Sequence, residues 1–243
     1  MFRLITCFLY MSGFLIYSIP ELTKIKKLSK ELSVEERNRI VHKFPKQFSK
    51  TFMKLTGSKI SVAGLDLIPE GPVVLIANHE SDIDIPVLLG AIDKPFGFVS
   101  KVEMKKVPII SSWLDAINCV LIDRNNTKQA VHSLQEGVKL LKKGHSLVIF
   151  PEGTRSKGGD VRPFKVGGIR LAQDAGVPIV PISIKGTADV FERNGRLIKP
   201  AAIKVTIGHP IDPKVNYHKN YRELTEEVRQ IIITIRGGRG IAS

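Results

Sequence analysis

His79 and Asp84 are five residues apart, inside the polar run Asn78-His79-Glu80-Ser81-Asp82-Ile83-Asp84. Histidine titrates near neutrality, so His79 can take up and return a proton. A carboxylate beside it would fix the imidazole tautomer and stabilise the imidazolium formed when a hydroxyl is activated. On one continuous helix an offset of five rotates the two side chains apart. The pair therefore meets only if His79 sits in a turn and a helix begins near Ser81 or Asp82. The bland alternative is a turn whose Asn, Ser and Asp merely cap a helix.

The elements before and after must hold that turn. Val73-Val74-Leu75-Ile76-Ala77 is an apolar run and reads as a buried strand. Chemistry beyond the carboxyl end of a strand is what an open α/β sheet provides. Further strands are expected at 59–63, 96–100, 119–122, 146–150, 179–184 and 202–207. Helices are expected at 85–91, 127–143, 167–174 and 221–235. The periodic residues Ala130, Leu134, Val138 and Leu141 carry one of these, with Gly144 as its stop. Strands alternating with helices imply an α/β fold, a largely parallel sheet covered by helices on both faces. The tail from Arg236 to Ser243 reads as frayed.

The first 56 residues read differently. Residues 4–19 carry no charge, and sixteen helical residues reach about 24 Å against about 30 Å of hydrocarbon. Arg3 precedes this stretch, but no small-x-small site follows it, so a retained membrane segment is expected and not a cleaved signal. Val41, Phe44, Phe48, Phe52 and Leu55 mark one helical face. Lys24, Lys26, Lys27 and Lys30, then Lys43, Lys46, Lys50 and Lys54, lie around it. An apolar face with lysines suits a helix in an interface with anionic lipid. The alternative is an ordinary surface helix packing its phenylalanines on the domain, with Pro45 splitting it. The expected division is 1–56, an N-terminal helical membrane-binding pair, and 57–243, the α/β domain.

The chain has 243 residues and a formal net charge of +14. Such a balance favours an anionic partner. Aromatic residues make up only 7% and concentrate near the N-terminus, and no nucleic-acid motif appears, so no nucleic-acid partner is expected. Cys7 and Cys119 form neither a metal-ligand spacing nor a disulfide framework. No metal site is expected. Gly-x-Ser-x-Gly is absent, which counts against a serine hydrolase.

Four blocks in order extend the His79 run: Asn78-His79-x4-Asp84 with Pro86, then Leu121-Ile122-Asp123-Arg124, then Phe150-Pro151-Glu152-Gly153-Thr154-Arg155-Ser156, then Val177-Pro178-Ile179-Val180-Pro181. Together they resemble the glycerolipid acyltransferase family, over roughly residues 60–208. Within it the chain looks most like the bacterial 1-acyl-glycerol-3-phosphate acyltransferases, which make phosphatidic acid. One block departs: Pro108 is followed by Ile109-Ile110-Ser111-Ser112-Trp113 where the family often has glycines, which leaves the local backbone open.

The resemblance implies an enzyme without a cofactor. It would take an acyl group from acyl-CoA or acyl carrier protein and pass it to lysophosphatidic acid at the cytoplasmic face of the cell membrane. His79 would be the base and Asp84 its orienter. Glu152, Gly153, Thr154 and Arg155 would form the acceptor loop, with Glu152 holding an arginine or a glycerol hydroxyl. Arg124 and Arg155 suit a phosphate through paired, charge-assisted hydrogen bonds. Lys165 matches a basic loop of the family. Lys101, or a backbone N–H near Asn78, would meet the oxyanion. Other readings stay open: another lysophospholipid or glycerol-3-phosphate as acceptor, or a basic module that binds lipid or nucleic acid.

Overall fold

The computed structural model describes residues 1–29, 31–195, 197–212 and 220–238. Lys30 and the tail beyond residue 238 lie outside the described residues.

Seven strands form one sheet: β1 (Lys59–Ala63), β2 (Val74–Ala77), β3 (Gly97–Lys101), β4 (Val120–Ile122), β5 (Leu147–Ile149), β6 (Ile179–Lys185) and β7 (Ala202–Ile207). Their spatial order is β1-β7-β6-β2-β5-β3-β4. Neighbours run parallel except β6 and β7, which pair antiparallel. The expected α/β class, largely parallel and covered on both faces, is the one observed.

β2 sits in the middle because nothing in it tolerates water. Its four residues are all buried. The pleat sends Leu75 and Ala77 to one face and Val74 and Ile76 to the other, into two separate cores. On the first face lie α3 (Val34–Thr56), α4 (Asp84–Ala91) and α5 (Pro108–Ala116). On the second lie α6 (Thr127–Lys142), α7 (Gly167–Ala175) and α8 (Tyr221–Arg236). α5 fills the stretch whose backbone the sequence left open. Pro108 begins it, at the position where proline's fixed φ and missing N–H suit a helix.

The N-terminal pair is α1 (Phe2–Tyr17) and α2 (Ile19–Lys26). Helix runs further than the uncharged residues 4–19. Pro20 falls in the first turn of α2, where its missing N–H is harmless. By length and composition, Phe2–Lys26 is long and apolar enough to cross a membrane.

α3 is continuous through Pro45, without the split that went with the surface-helix alternative. Its ends explain the persistence. Ser33 and Glu36 form a capping box at the start, and Gly57 closes the helix at φ +75°. Its aromatic face stacks on α1 and α5: Phe44 lies 4.5 Å from Phe14 and 5.2 Å from Trp113, and Tyr10 5.6 Å from Phe48. That face meets protein, so the expected lipid-facing stripe of α3 is already covered. Apolar surface left to solvent is concentrated on α1, at Phe2, Ile5, Phe8, Leu9, Ile16 and Tyr17. Lys46 is not free either, being bound to Asp93. Ser18, between the two N-terminal helices, accepts from Trp113 Nε1 at 2.9 Å and so ties the pair to α5.

Candidate active site

The chain leaves β2 at Ala77 and turns at Asn78. The Asn78 amide pairs with both the N–H and the carbonyl of Ile184, each at 2.8 Å. It thus continues the β2–β6 ladder by one side chain and fixes where the turn begins. His79 follows, and α4 starts at Asp84. The helix therefore starts two residues later than Asp82, and the meeting it was to allow is present: His79 Nδ1 lies 2.8 Å from Asp84 Oδ2.

Asp84 is fully buried. Its Oδ2 also accepts the N–H groups of Glu80 and Ser81 at 2.8 and 3.0 Å, and its Oδ1 accepts the Thr187 hydroxyl. Burial pushes the carboxyl up from its ordinary value, while the His79 ring, Thr187 and the backbone donors pull the other way. Every contact comes from a donor, which suits the carboxylate and an Nδ1–H tautomer. Nε2 is then the nitrogen left for a substrate. The ring lies flat against Phe150, with centroids 4.2 Å apart, and the side chain is 13% exposed. One edge of an otherwise enclosed imidazole is thus open.

Glu152 follows β5, and the structure gives it different partners from those expected. Oε1 accepts the His79 N–H at 2.7 Å and Oε2 the Arg162 N–H at 3.0 Å. It clamps backbone, and no arginine side chain is bonded to it among the described residues. Burial pushes this carboxyl up as well. Two further bonds sew the loops together: Ser156 N–H to His79 carbonyl at 2.8 Å and Lys157 N–H to Glu80 carbonyl at 3.1 Å. The N–H groups of His79, Glu80 and Ser81 all point into carboxylates, so none is available to an oxyanion.

The basic candidates fall into two groups around this loop. Arg124, just past β4, donates to the Gly153 carbonyl. Gly153 has φ +71°, a conformation that favours glycine, and Lys165 lies over it, its Nζ 3.1 Å from where a Cβ would stand. Arg124, Gly153 and Lys165 therefore converge. Arg155 turns to the His79 loop instead, bonding to Asp82 and standing 3.4 Å from Glu192. Thr154 is exposed. Lys101 is exposed at the end of β3, with β5 between its strand and β2.

Sequence reasoning did not find Thr187, Glu192 or the ladder role of Asn78. A buried Gly186-Thr187 directly after an apolar strand was the available signal for Thr187.

A family profile described as acyltransferase matches residues 59–185, from the first residue of β1 to the last of β6. The chain is 32% identical over 193 residues to a probable 1-acyl-sn-glycerol-3-phosphate acyltransferase of Mycoplasma genitalium, covering 74% of this chain and 72% of the relative. It is 30% identical over 182 residues to the 1-acyl-sn-glycerol-3-phosphate acyltransferase of Borreliella burgdorferi, with the same shares of each. The crystal structure of the 1-acyl-sn-glycerophosphate (LPA) acyltransferase PlsC from Thermotoga maritima superimposes with a TM-score of 0.83 at 26% identity, over 98% of this chain and 93% of that one. The His79–Asp84 dyad and the Glu152 loop both lie inside the matched region, and the chain belongs to the acyltransferase family.

Proposed function

We propose that the chain moves a fatty acyl group from a thioester, on coenzyme A or acyl carrier protein, to the sn-2 hydroxyl of 1-acyl-glycerol-3-phosphate. The product is phosphatidic acid for phospholipid synthesis. The observation that carries this is the buried His79–Asp84 dyad with one ring edge open beside a basic rim. The names of the relatives support the acceptor.

His79 Nε2 takes the proton as the acceptor hydroxyl attacks the thioester carbonyl carbon. Asp84 stabilises the imidazolium. The tetrahedral intermediate expels the thiolate, which takes the proton from His79, so the dyad ends as it began. Lys101 is the side chain proposed for the oxyanion. Arg124 and Lys165, gathered over Gly153, and Arg155 are proposed to hold the phosphate, with Thr154 contributing its hydroxyl. Residues 1–56 serve attachment to the cytoplasmic face of the cell membrane and residues 57–243 the chemistry. Exposed apolar residues of α1 support that division.

The test is turnover by the full-length chain in detergent, with labelled acyl donors and a panel of acceptors. The panel holds 1-acyl-glycerol-3-phosphate, glycerol-3-phosphate, phosphate-free monoacylglycerol and lysophospholipids with larger head groups. The expected winner is 1-acyl-glycerol-3-phosphate. Arg124→Ala or Arg155→Ala should lower kcat/KM for it by about 10- to 100-fold, the worth of one charge-assisted hydrogen bond. The phosphate-free acceptor should change far less. Equal relative losses on both acceptors would show that these arginines do not read phosphate.

A further inference from the structure

A second carboxylate is buried beside the dyad. Glu80 follows His79 directly, and its side chain is 2% exposed. One oxygen accepts the Gly186 N–H at 2.8 Å and the Thr187 hydroxyl at 3.4 Å. The other stands 2.5 Å from Nη2 of Arg236, the last residue of α8. The same nitrogen donates to the Gly159 carbonyl at 3.3 Å. Arg236 is 18% exposed in its side chain, and its Nε is buried without a partner among the described residues. The residue assigned to a frayed tail thus reaches the centre of the site.

Glu80 and Asp84 share their surroundings. Thr187 touches both carboxylates, and the Glu80 N–H donates to Asp84. Two carboxylates this close in a dry pocket do not both stay ionised unless a cation stands beside one of them. Burial already pushes the Asp84 carboxyl up, and a second, uncompensated carboxylate beside it would act in the same direction, toward the protonated form. His79 would then lose the anion that stabilises its imidazolium. Docking of α8 does not require the ion pair, since Leu224, Val228, Ile232 and Ile235 are all buried. A buried ion pair also adds little net stability by itself, which points to a role in the site.

We propose that Arg236 is a positioning residue that acts through Glu80, setting a positive charge against the second buried carboxylate so that Asp84 stays anionic against His79. This rests on the reading of His79 as the base. Among the described residues, the charged and titratable groups facing the carboxylate pair are His79 on the same loop, Arg236 from α8 and Glu152 from the segment after β5. Glu192, from the segment after β6, lies further out and accepts from the Asp82 N–H at 3.1 Å.

The experiment is steady-state kinetics across pH on the full chain, with 1-acyl-glycerol-3-phosphate and acyl-CoA. Arg236→Met should lower kcat roughly tenfold at neutral pH and move the acid limb of kcat/KM up by about one pH unit. The KM for acceptor should stay within about twofold, as expected of a residue that acts through Glu80 and not on the acceptor. The double variant Glu80→Gln/Arg236→Met should regain most of kcat and the original limb, since a neutral amide needs no cation. Melting curves fix the folded fraction of each protein. Wild-type kcat and acid limb in Arg236→Met overturn the proposal, as does a double variant no better than the single one. If Arg236→Met does not fold, Arg236→Gln, which keeps a hydrogen-bond donor but not the charge, carries the test through the same limb, and a limb at the wild-type pH overturns it. Turnover surviving in His79→Ala would instead defeat the general-base reading. An Arg236 failure with His79→Ala inactive leaves that reading standing.

Discussion

Asp84 meets a donor at each contact it makes, from His79, Glu80, Ser81 and Thr187. An amide can match its shape, with the oxygen on the His79 and backbone donors and the NH2 group on the Thr187 hydroxyl, which can accept. It carries no negative charge, so Asp84→Asn cannot stabilise the His79 imidazolium. Turnover should fall about 10²- to 10⁴-fold, the worth of general acid–base catalysis, and the same holds for His79→Ala. Near-normal rates in either variant would end the dyad mechanism. Thr187→Val is a finer probe. It leaves one carboxylate oxygen unmet and should cost about 1–3 kcal/mol in urea unfolding. Its kcat should drop while both KM values hold; a fall in stability without any change in kcat would make Thr187 a packing residue only. His79 and Asp84 were legible because five residues of local sequence contain both. Thr187 was not, because it lies 103 residues from Asp84 and only the β2–β6 pairing brings them together. Glu152 was visible as a residue but its backbone partners were not, since nothing local says that its oxygens face the N–H groups of His79 and Arg162 and not arginine side chains.

At the level of elements, apolar runs announced the strands, and periodicity announced α6 and α8. Periodicity also marked the stripe of α3, but a stripe does not say what covers it. The cover is α1 and Trp113, supplied from other parts of the chain. His42, also on α3, gives a way to test how firmly the helix is seated. Its Nε2 accepts the Phe96 N–H at 3.1 Å, just before β3, and burial pushes its pKa from 6.5 down to about 4. The folded protein therefore binds this proton later than the unfolded chain does. Stability is complete above 6.5 and lost as pH falls toward about 4, by at most about 1.4 kcal/mol per pH unit. Urea unfolding between pH 7 and 4.5 should show that slope, and His42→Gln should flatten it. An unchanged slope would mean that other groups set the acid sensitivity.

Over the whole molecule, a charge of +14 and the bare apolar side of α1 should act together at a lipid surface. Phe8→Ser/Leu9→Ser should weaken vesicle binding at every salt concentration. Lys43→Gln/Lys50→Gln/Lys54→Gln should weaken it only on anionic vesicles, by about 1 kcal/mol per charge, with a shallower salt dependence. Binding that ignores both sets would take α1 and α3 out of the attachment role. The sheet order carries another consequence, for biosynthesis. β1 lies at one edge, and β7 is its neighbour, with Lys59 set against Ala202. A strand made early thus has no partner until the chain is nearly finished. At roughly 5–20 residues per second that wait is on the order of ten seconds, with an open strand edge beside an apolar helix. Emerging chains of this protein should therefore depend on early capture, by a membrane or a holdase, more than finished ones do.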